Sequence, residues 1–288
     1  MSEASPVLLE QTALRSAVLR PGSVWTSLDV VAATGSTNED LLAAARSGAA
    51  EGAVLAAEEQ SRGRGRQGRT WIAVPGRALL FSVLLRPADV PPAARGWLPL
   101  LTGVAATLKW PNDVLAGGAK LAGILAEQAG PAIVIGIGIN VAARPDDLPA
   151  APAASPPAAG PPTSVSSPPA RLAPTALPPT SLALAGAPAA DRGALLTAIL
   201  AELEHWYRCW ASPAAPGQPG DPDGSGLRAE YLRLCSTIGT TVTVHLPGGT
   251  RLAGTATGID RTGCLVVANE SGSTAVSAGD VVHVRRAP

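Results

Sequence analysis

Four arginines and three glycines crowd the segment from Ser61 to Arg69, in the order SRGRGRQGR. Glycine lets backbone N–H groups approach a ligand closely, and a guanidinium chelates phosphate or carboxylate through two parallel hydrogen bonds. The segment reads as a cationic flap over an anionic substrate, weighed against a plain solvated charge run. GRGRQG has the spacing G-x-G-x-x-G, but a dinucleotide-binding turn must open a helix, and the strand-like TWIAVPGRALLFSVLL follows instead. A disordered arginine–glycine RNA-binding tail is also disfavoured, because the segment is not repeated and lies between expected strands.

A second group runs from Lys109 to Lys120. Lys109-Trp110-Pro111-Asn112-Asp113 presents an amide and a carboxylate together at a proline turn. Asp113 could hold magnesium, since hard cations take oxygen ligands beside phosphates; alternatively, Asn112 and Asp113 only tie down an Asx turn. Lys120 opens an apolar strand, where an ammonium is costly unless it meets an anion. Gly136 and Gly138 interrupt the next apolar run, just before Asn140. Glycine inside a strand marks close approach of a ligand or another backbone, or else dense core packing.

The lysines also stand out by number. Of 22 basic residues in 288, only Lys109 and Lys120 are lysine, and Asn38, Asn112, Asn140 and Asn269 are the only asparagines. In a chain that uses arginine nearly everywhere, a retained lysine marks a place where a planar fork does not replace a compact ammonium.

The elements that must position these groups follow from periodicity. Residues 7–20 carry Leu and Val at helical spacing, ended by Pro21-Gly22. Trp25–Val31 reads as a strand, then a helix over Glu39–Ser47 opened by a capping box of Thr37 and Asp40. Ala53–Glu58 is a second strand, and Trp71–Val74 with Leu79–Leu85 forms a hairpin about Pro75-Gly76. A short helix, Arg95–Ala106, leads to a strand at Lys109, followed by aliphatic strands at Lys120–Glu127 and Ile133–Val141. Residues 143–179 hold 12 of the 28 prolines, which predicts a surface insertion without packed elements. Asp191 is placed to cap an amphipathic helix reaching Trp210. After a linker at 213–226, a helix at Leu227–Ser236 precedes short strands and glycine turns in Ile238–Arg286, the pattern of a small SH3-type barrel. The expected fold class is α+β: a helical segment at 1–22, a mixed sheet packed with helices at 23–212, and a β-barrel unit at 227–288.

Composition excludes several function classes. Acidic and basic residues balance at 22 each, against a coat for nucleic acid or an anionic membrane. Three scattered cysteines and three histidines make neither a disulfide framework nor a transition-metal cluster. The N-terminus lacks a signal peptide's pattern and the longest apolar run, 132–143, is too short to span a bilayer, so a cytoplasmic location with no membrane partner is expected. No Ser-His-Asp or Cys-His site is evident, which leaves the chemistry to fixed charge.

Five motifs, in order, resemble the biotin–protein ligases, also called biotin–[acetyl-CoA-carboxylase] ligases: GSTN (35–38), EEQSRGRGRQGRTW (58–71), LKWPND (108–113), KLAGILAE (120–127) and GIGIN (136–140). The run GTTVTV, GTATGID, GCLVV and AGDVVHVR is similar to that family's C-terminal SH3-like domain. The resemblance implies a two-step ligation. ATP and biotin give biotinyl-5′-adenylate and pyrophosphate, and the biotinyl group then passes to a lysine of a biotin carboxyl carrier protein. It implies that Ser36, Thr37, Asn38, Gln60 and Gly123 bind biotin, with Arg64, Gly65 and Arg66 on a loop that closes over biotin and the adenylate phosphate. Lys120 would meet the biotin carboxylate and the α-phosphate, and Lys120 with Arg66 would be catalytic. Arg64, Arg66, Arg69, Trp71, Lys109, Asn112 and Asn140 would serve the nucleotide, and Asp113 its Mg²⁺.

Two departures qualify the expectation. About 22 residues precede the resemblance, too few for the helix-turn-helix domain of longer members, so no DNA partner is expected. LTGVAATLKWPND also runs almost directly into Lys109, where the family has a longer helix and a loop. A non-catalytic biotin-binding protein and a lipoate or octanoyl transferase of the same fold therefore stay open as alternatives, as does the choice between monomer and homodimer.

Overall fold

The computed structural model describes residues 8–104, 107–149, 177–187, 190–212, 217–246, 249–277 and 280–283. Seven strands, β1 (Ser27–Thr34), β2 (Ala53–Gln60), β3 (Ala78–Leu85), β4 (Thr107–Lys109), β5 (Asp113–Ala116), β6 (Ala119–Ala129) and β7 (Ala132–Asn140), form one mixed sheet. Their order is β1-β2-β3-β7-β6-β5-β4, with β1 and β2 parallel and every other pair antiparallel. β3 and β7 lie at the centre and are covered on both faces, which explains their continuous apolar runs ALLFSVLL and AIVIGIGIN. Alternation sorts their side chains: Leu84 and Val134 pack under one helix with Leu41, Leu42 and Ala45, while Val83, Leu85, Ile133 and Ile135 enter the larger core opposite.

That one helix is α2 (Thr37–Arg46). Its N-cap is Ser36, with no side-chain cap, so the expected capping box of Thr37 and Asp40 does not form. The Thr37 hydroxyl is engaged with Ser82, and Asp40 takes the Thr34 hydroxyl. On the other face lie α1 (Gln11–Val18), α3 (Leu98–Leu101) and α4 (Arg192–Ala211). Asp191 caps α4 as expected, accepting from the N–H groups of Gly193 at 2.7 Å and Ala194 at 3.1 Å.

Three expectations need correction. The hairpin about Pro75-Gly76 is absent: residues 71–77 are irregular and β3 pairs with β2 and β7, because burial in the sheet centre outweighs a local turn. The helix expected at 95–106 is a 3-10 segment, Pro92–Trp97, followed by the single turn α3; Ala105 and Ala106 lie outside the described residues. Gly103 closes against the Leu108 side chain there, which returns the chain to β4. The insertion is narrower than expected on both sides. A 3-10 turn at Pro145–Asp147 follows β7, and Pro178 and Thr180 bond the backbone of Lys120 at 2.8 Å each. The rest of it, 150–176, lies outside the described residues, as do 1–7 and 213–216 of the N-terminal segment and the linker. The remaining linker is packed, its Gly220 N–H donating to the Trp210 carbonyl at 2.7 Å.

After α5 (Leu227–Leu234), strands β8 (Thr241–His245), β9 (Arg251–Ile259), β10 (Leu265–Asn269), β11 (Gly272–Val276) and β12 (Asp280–His283) make an antiparallel sheet in the order β11-β10-β9-β8-β12. Val242, Val244, Ala256, Ile259, Leu265 and Val267 fill its inner face. Its turn at 260–264 docks on the first sheet's surroundings. The Trp97 indole N–H donates to the Arg261 carbonyl at 3.0 Å, and the Trp110 indole N–H to Gly263 at 3.2 Å. Ser236 donates twice to the Leu108 carbonyl, and the Thr237 hydroxyl accepts the Trp110 backbone N–H at 3.1 Å. The residues leading into Asn112 and Asp113 are thus gripped from the C-terminal unit.

Candidate active site

A cleft of about 420 Å³ opens over β6 and β7, within the range of small-molecule sites. One wall is the N-terminus of α2 with the end of β2. Gln60 Oε1 accepts the Thr37 backbone N–H at 2.8 Å, and the Thr37 hydroxyl lies 2.7 Å from Ser82 Oγ. Ser82 donates to Asn38 Oδ1 at 2.6 Å, and Asn38 Nδ2 donates to Glu127 Oε2 at 2.9 Å and the Leu125 carbonyl at 3.3 Å. Ser36, Thr37, Asn38 and Ser82 are all buried, and mutual pairing makes that placement tolerable for the last three.

The arginine loop forms the roof. It is a compact turn closed by a Gly65 N–H to Arg69 carbonyl bond of 2.7 Å and an Arg64–Thr70 bridge, with Gln67 left-handed at φ 57°. Arg64 pairs with Glu127 at 2.9 Å and Glu39 at 3.4 Å, and Arg66 donates to Asn112 Oδ1 at 3.1 Å. Just past the loop, the Trp71 indole lies flat on the glycine floor. A methyl at Gly138 would come within 2.6 Å of it, and one at Gly123 within 3.0 Å. Leu177 and Val281 reach the cleft from the end of the insertion and from β12.

The far wall carries the charges. Lys120 Nζ lies 2.6 Å from Asp113 Oδ1, a charge contact not aligned as a hydrogen bond, and Lys109 Nζ lies 4.0 Å from Oδ2. Lys120 also sits 5.9 Å over the Trp71 ring. Two ammonium groups to one carboxylate leave a positive balance, and the loop adds guanidinium groups above it. Such an arrangement can bring two anions together and stabilise charge that develops between them. Among the described residues no group of three or more His, Cys, Asp or Glu could hold a metal. The Asp113 carboxylate alone could still face a Mg²⁺ that keeps most of its water or phosphate ligands, since that ion uses one or two carboxylates.

The structure brings to this cleft Ser36, Thr37, Asn38, Gln60, Arg64, Gly65, Arg66, Arg69, Trp71, Lys109, Asn112, Asp113, Lys120 and Gly123. Asn140 lies apart, at the end of β7, where its amide donates to the Thr180 carbonyl at 2.9 Å. Gly136 and Gly138 line the same cleft, with the side chains of Asn38 and Trp71 packed against them. Sequence reasoning missed the apolar walls Phe81, Ile124, Leu125 and Ile137. It also missed Ser82 and Glu127, although each is a polar residue breaking an apolar strand pattern, which was a usable signal.

Comparison with known proteins agrees with this geometry. Residues 30–141 match the Biotin/lipoate A/B protein ligase family, and residues 237–284 the Biotin protein ligase C terminal domain. The chain is 41% identical over 293 residues to the Biotin--[acetyl-CoA-carboxylase] ligase of Mycobacterium tuberculosis, covering 96% of both chains. It is 37% identical over 138 residues to the Bifunctional ligase/repressor BirA of Bacillus subtilis, covering 42% of this chain and 41% of that one. Among solved structures, the biotin protein ligase from Aquifex aeolicus in complex with biotin and ATP shares the fold with a TM-score of 0.66 at 22% identity, over 91% of this chain and 100% of that one. The Leishmania major biotin protein ligase in complex with biotinyl-5-AMP does so with a TM-score of 0.52 at 20% identity, over 88% and 99%. With both family domains matched in chain order and one relative aligned over nearly the whole length, the chain belongs to the biotin protein ligase family.

Proposed function

We propose that this chain is an ATP-dependent biotin–protein ligase, which activates biotin as biotinyl-5′-AMP and transfers it to one lysine of a biotin carboxyl carrier protein in the cytoplasm. The observation that carries this reading is one cleft joining the paired polar wall of α2, the arginine roof and the Lys109–Asp113–Lys120 group. Biotin lies along Ser36, Thr37, Asn38 and Gln60, over Gly123, with its carboxylate at Lys120 under Arg64, Gly65 and Arg66. The nucleotide takes Arg64, Arg66, Arg69, Trp71, Lys109 and Asn112, and Asp113 faces the Mg²⁺ that its phosphates carry. Asn140 acts at one remove, through the 180–182 segment that it holds.

In the first step the biotin carboxylate attacks the α-phosphorus, and the bond to pyrophosphate breaks. Both reactants are anions, so the residues need to offset repulsion and hold the leaving charge; Lys120 and Arg66 do this without a covalent nucleophile. The folded loop keeps water from the mixed anhydride. In the second step a carrier lysine amine attacks the biotinyl carbonyl and AMP leaves. The match to the Biotin protein ligase C terminal domain favours biotin over lipoate. The test is pyrophosphate release with ATP and Mg²⁺, in the presence of biotin or of lipoate, followed by transfer to a purified carrier domain. Release and transfer with biotin are expected; release with lipoate alone would establish the other substrate, and binding without release a non-catalytic protein.

A further inference from the structure

Between the arginine roof and the buried wall of the cleft stands one carboxylate, Glu127 on β6. Its two oxygens have different partners: Oε1 lies 2.9 Å from Arg64 Nη2, and Oε2 accepts Asn38 Nδ2 at 2.9 Å. Glu39 also approaches Arg64, at 3.4 Å, but is 40% exposed against 19% for Glu127. The shorter, less hydrated pair is the stronger dock.

Proton counting extends the reach of this carboxylate. The Asn38 amide is oriented by the Leu125 carbonyl as well as by Glu127, so its Oδ1 faces Ser82. Ser82 has one hydroxyl proton, which Oδ1 takes at 2.6 Å. The Thr37 hydroxyl therefore donates to Ser82 Oγ, making its 3.1 Å contact with Gln60 secondary. From the Thr37 hydroxyl through Ser82 to Asn38, one donation follows another toward Glu127, and Arg64 closes the series from the loop side.

We propose that Glu127 is a positioning residue that couples the arginine loop to the buried wall, docking Arg64 through one oxygen and orienting Asn38, and behind it Ser82 and Thr37, through the other. Its effect on affinity rests on the biotin-binding reading above; its effect on the loop does not.

Glu127→Gln keeps the size but replaces one oxygen with an NH₂ group, which cannot accept. It can serve Arg64 or Asn38, and it then presents a donor to the other. Losing one charge-assisted bond predicts a biotin Kd raised about tenfold or more. In the ligand-free protein, trypsin should cut at Arg62 and Arg64 several-fold faster than in wild type. Ser82→Ala breaks the series on the far side and leaves the dock intact, so it should weaken biotin binding while loop cleavage stays at the wild-type rate. Wild-type cleavage and affinity in Glu127→Gln would overturn the proposal, and so would equal acceleration of cleavage by Ser82→Ala. A wild-type protein that bound no biotin would overturn the ligase reading, leaving the cleavage comparison to judge Glu127.

Discussion

Gly136 is forbidden a side chain by one neighbour only, which makes it a sharp test of the cleft wall. Its backbone is not in the left-handed region, so alanine can adopt its conformation. Alanine replacing glycine under those conditions stabilises by about 0.4–1 kcal/mol through the unfolded chain. Here, however, the new methyl would press on the Asn38 amide, with Cγ at 2.8 Å and Oδ1 nearer still, inside the 3.0 Å that real Cβ atoms keep. The amide would have to retreat by about 1 Å, a shift that packed interiors resist. Its bonds to Ser82 at 2.6 Å and Glu127 at 2.9 Å cannot survive that retreat. Buried polar groups left unpaired cost about 1–3 kcal/mol each, so the net loss for Gly136→Ala is about 2–3 kcal/mol. Urea midpoints at unchanged slope measure it. The same substitution in an Asn38→Ala background meets no amide and should be neutral or stabilising by up to about 1 kcal/mol, a coupling of about 2–4 kcal/mol. Equal effects in the two backgrounds, or wild-type stability of Gly136→Ala, would refute the reasoning.

Lys120→Arg keeps the charge but puts a planar fork where an ammonium lies 2.6 Å from Asp113, and biotin-dependent pyrophosphate release should fall about 100-fold; a fall under threefold would count against the role given to Lys120. Thr237→Val orphans the buried Trp110 N–H and should cost about 1–3 kcal/mol in a denaturation midpoint, whereas Thr237→Ser should stay near wild type. Asp147 is held below the usual carboxylate range by the Arg144 backbone N–H and then by the Arg77 guanidinium. A lowered folded pKa stabilises above the unfolded value and is lost as pH falls through the folded one. Asp147→Asn should therefore be less stable than wild type at neutral pH, and the two stability curves should converge in acid.

Much of the cleft was legible because its chemistry forced unusual residues on a biased composition. The two lysines, the asparagines at 38 and 112 and the arginine–glycine loop all proved to lie on one cavity. Long elements with a strong local pattern, the continuous apolar run of β7 and the helical spacing of the Asp191-capped α4, were also legible. The failures came where a distant partner decided. Pro75-Gly76 looks like a hairpin turn, yet Leu79–Leu85 finds β2 and β7, whose pairing no local pattern encodes. Asn140 stood out by scarcity, but its amide is used on Thr180, forty residues away. Glu127 breaks the apolar pattern of β6, but its role is legible only once Arg64 and Asn38 are seen on either side of it.

The indole bond from Trp110 to Gly263 spans 153 residues of sequence. On a ribosome adding about 5–20 residues per second, that separation is a delay of roughly 8–30 s. Throughout that time Lys109, Asn112 and Asp113 wait without the Gly263 carbonyl that later holds the segment, and for most of it without the Thr237 hydroxyl as well. The charged wall of the cleft is thus completed near the end of synthesis. Nascent chains stalled before residue 237 would carry every residue of the arginine loop and both lysines, yet neither Thr237 nor Gly263 to bring them into register.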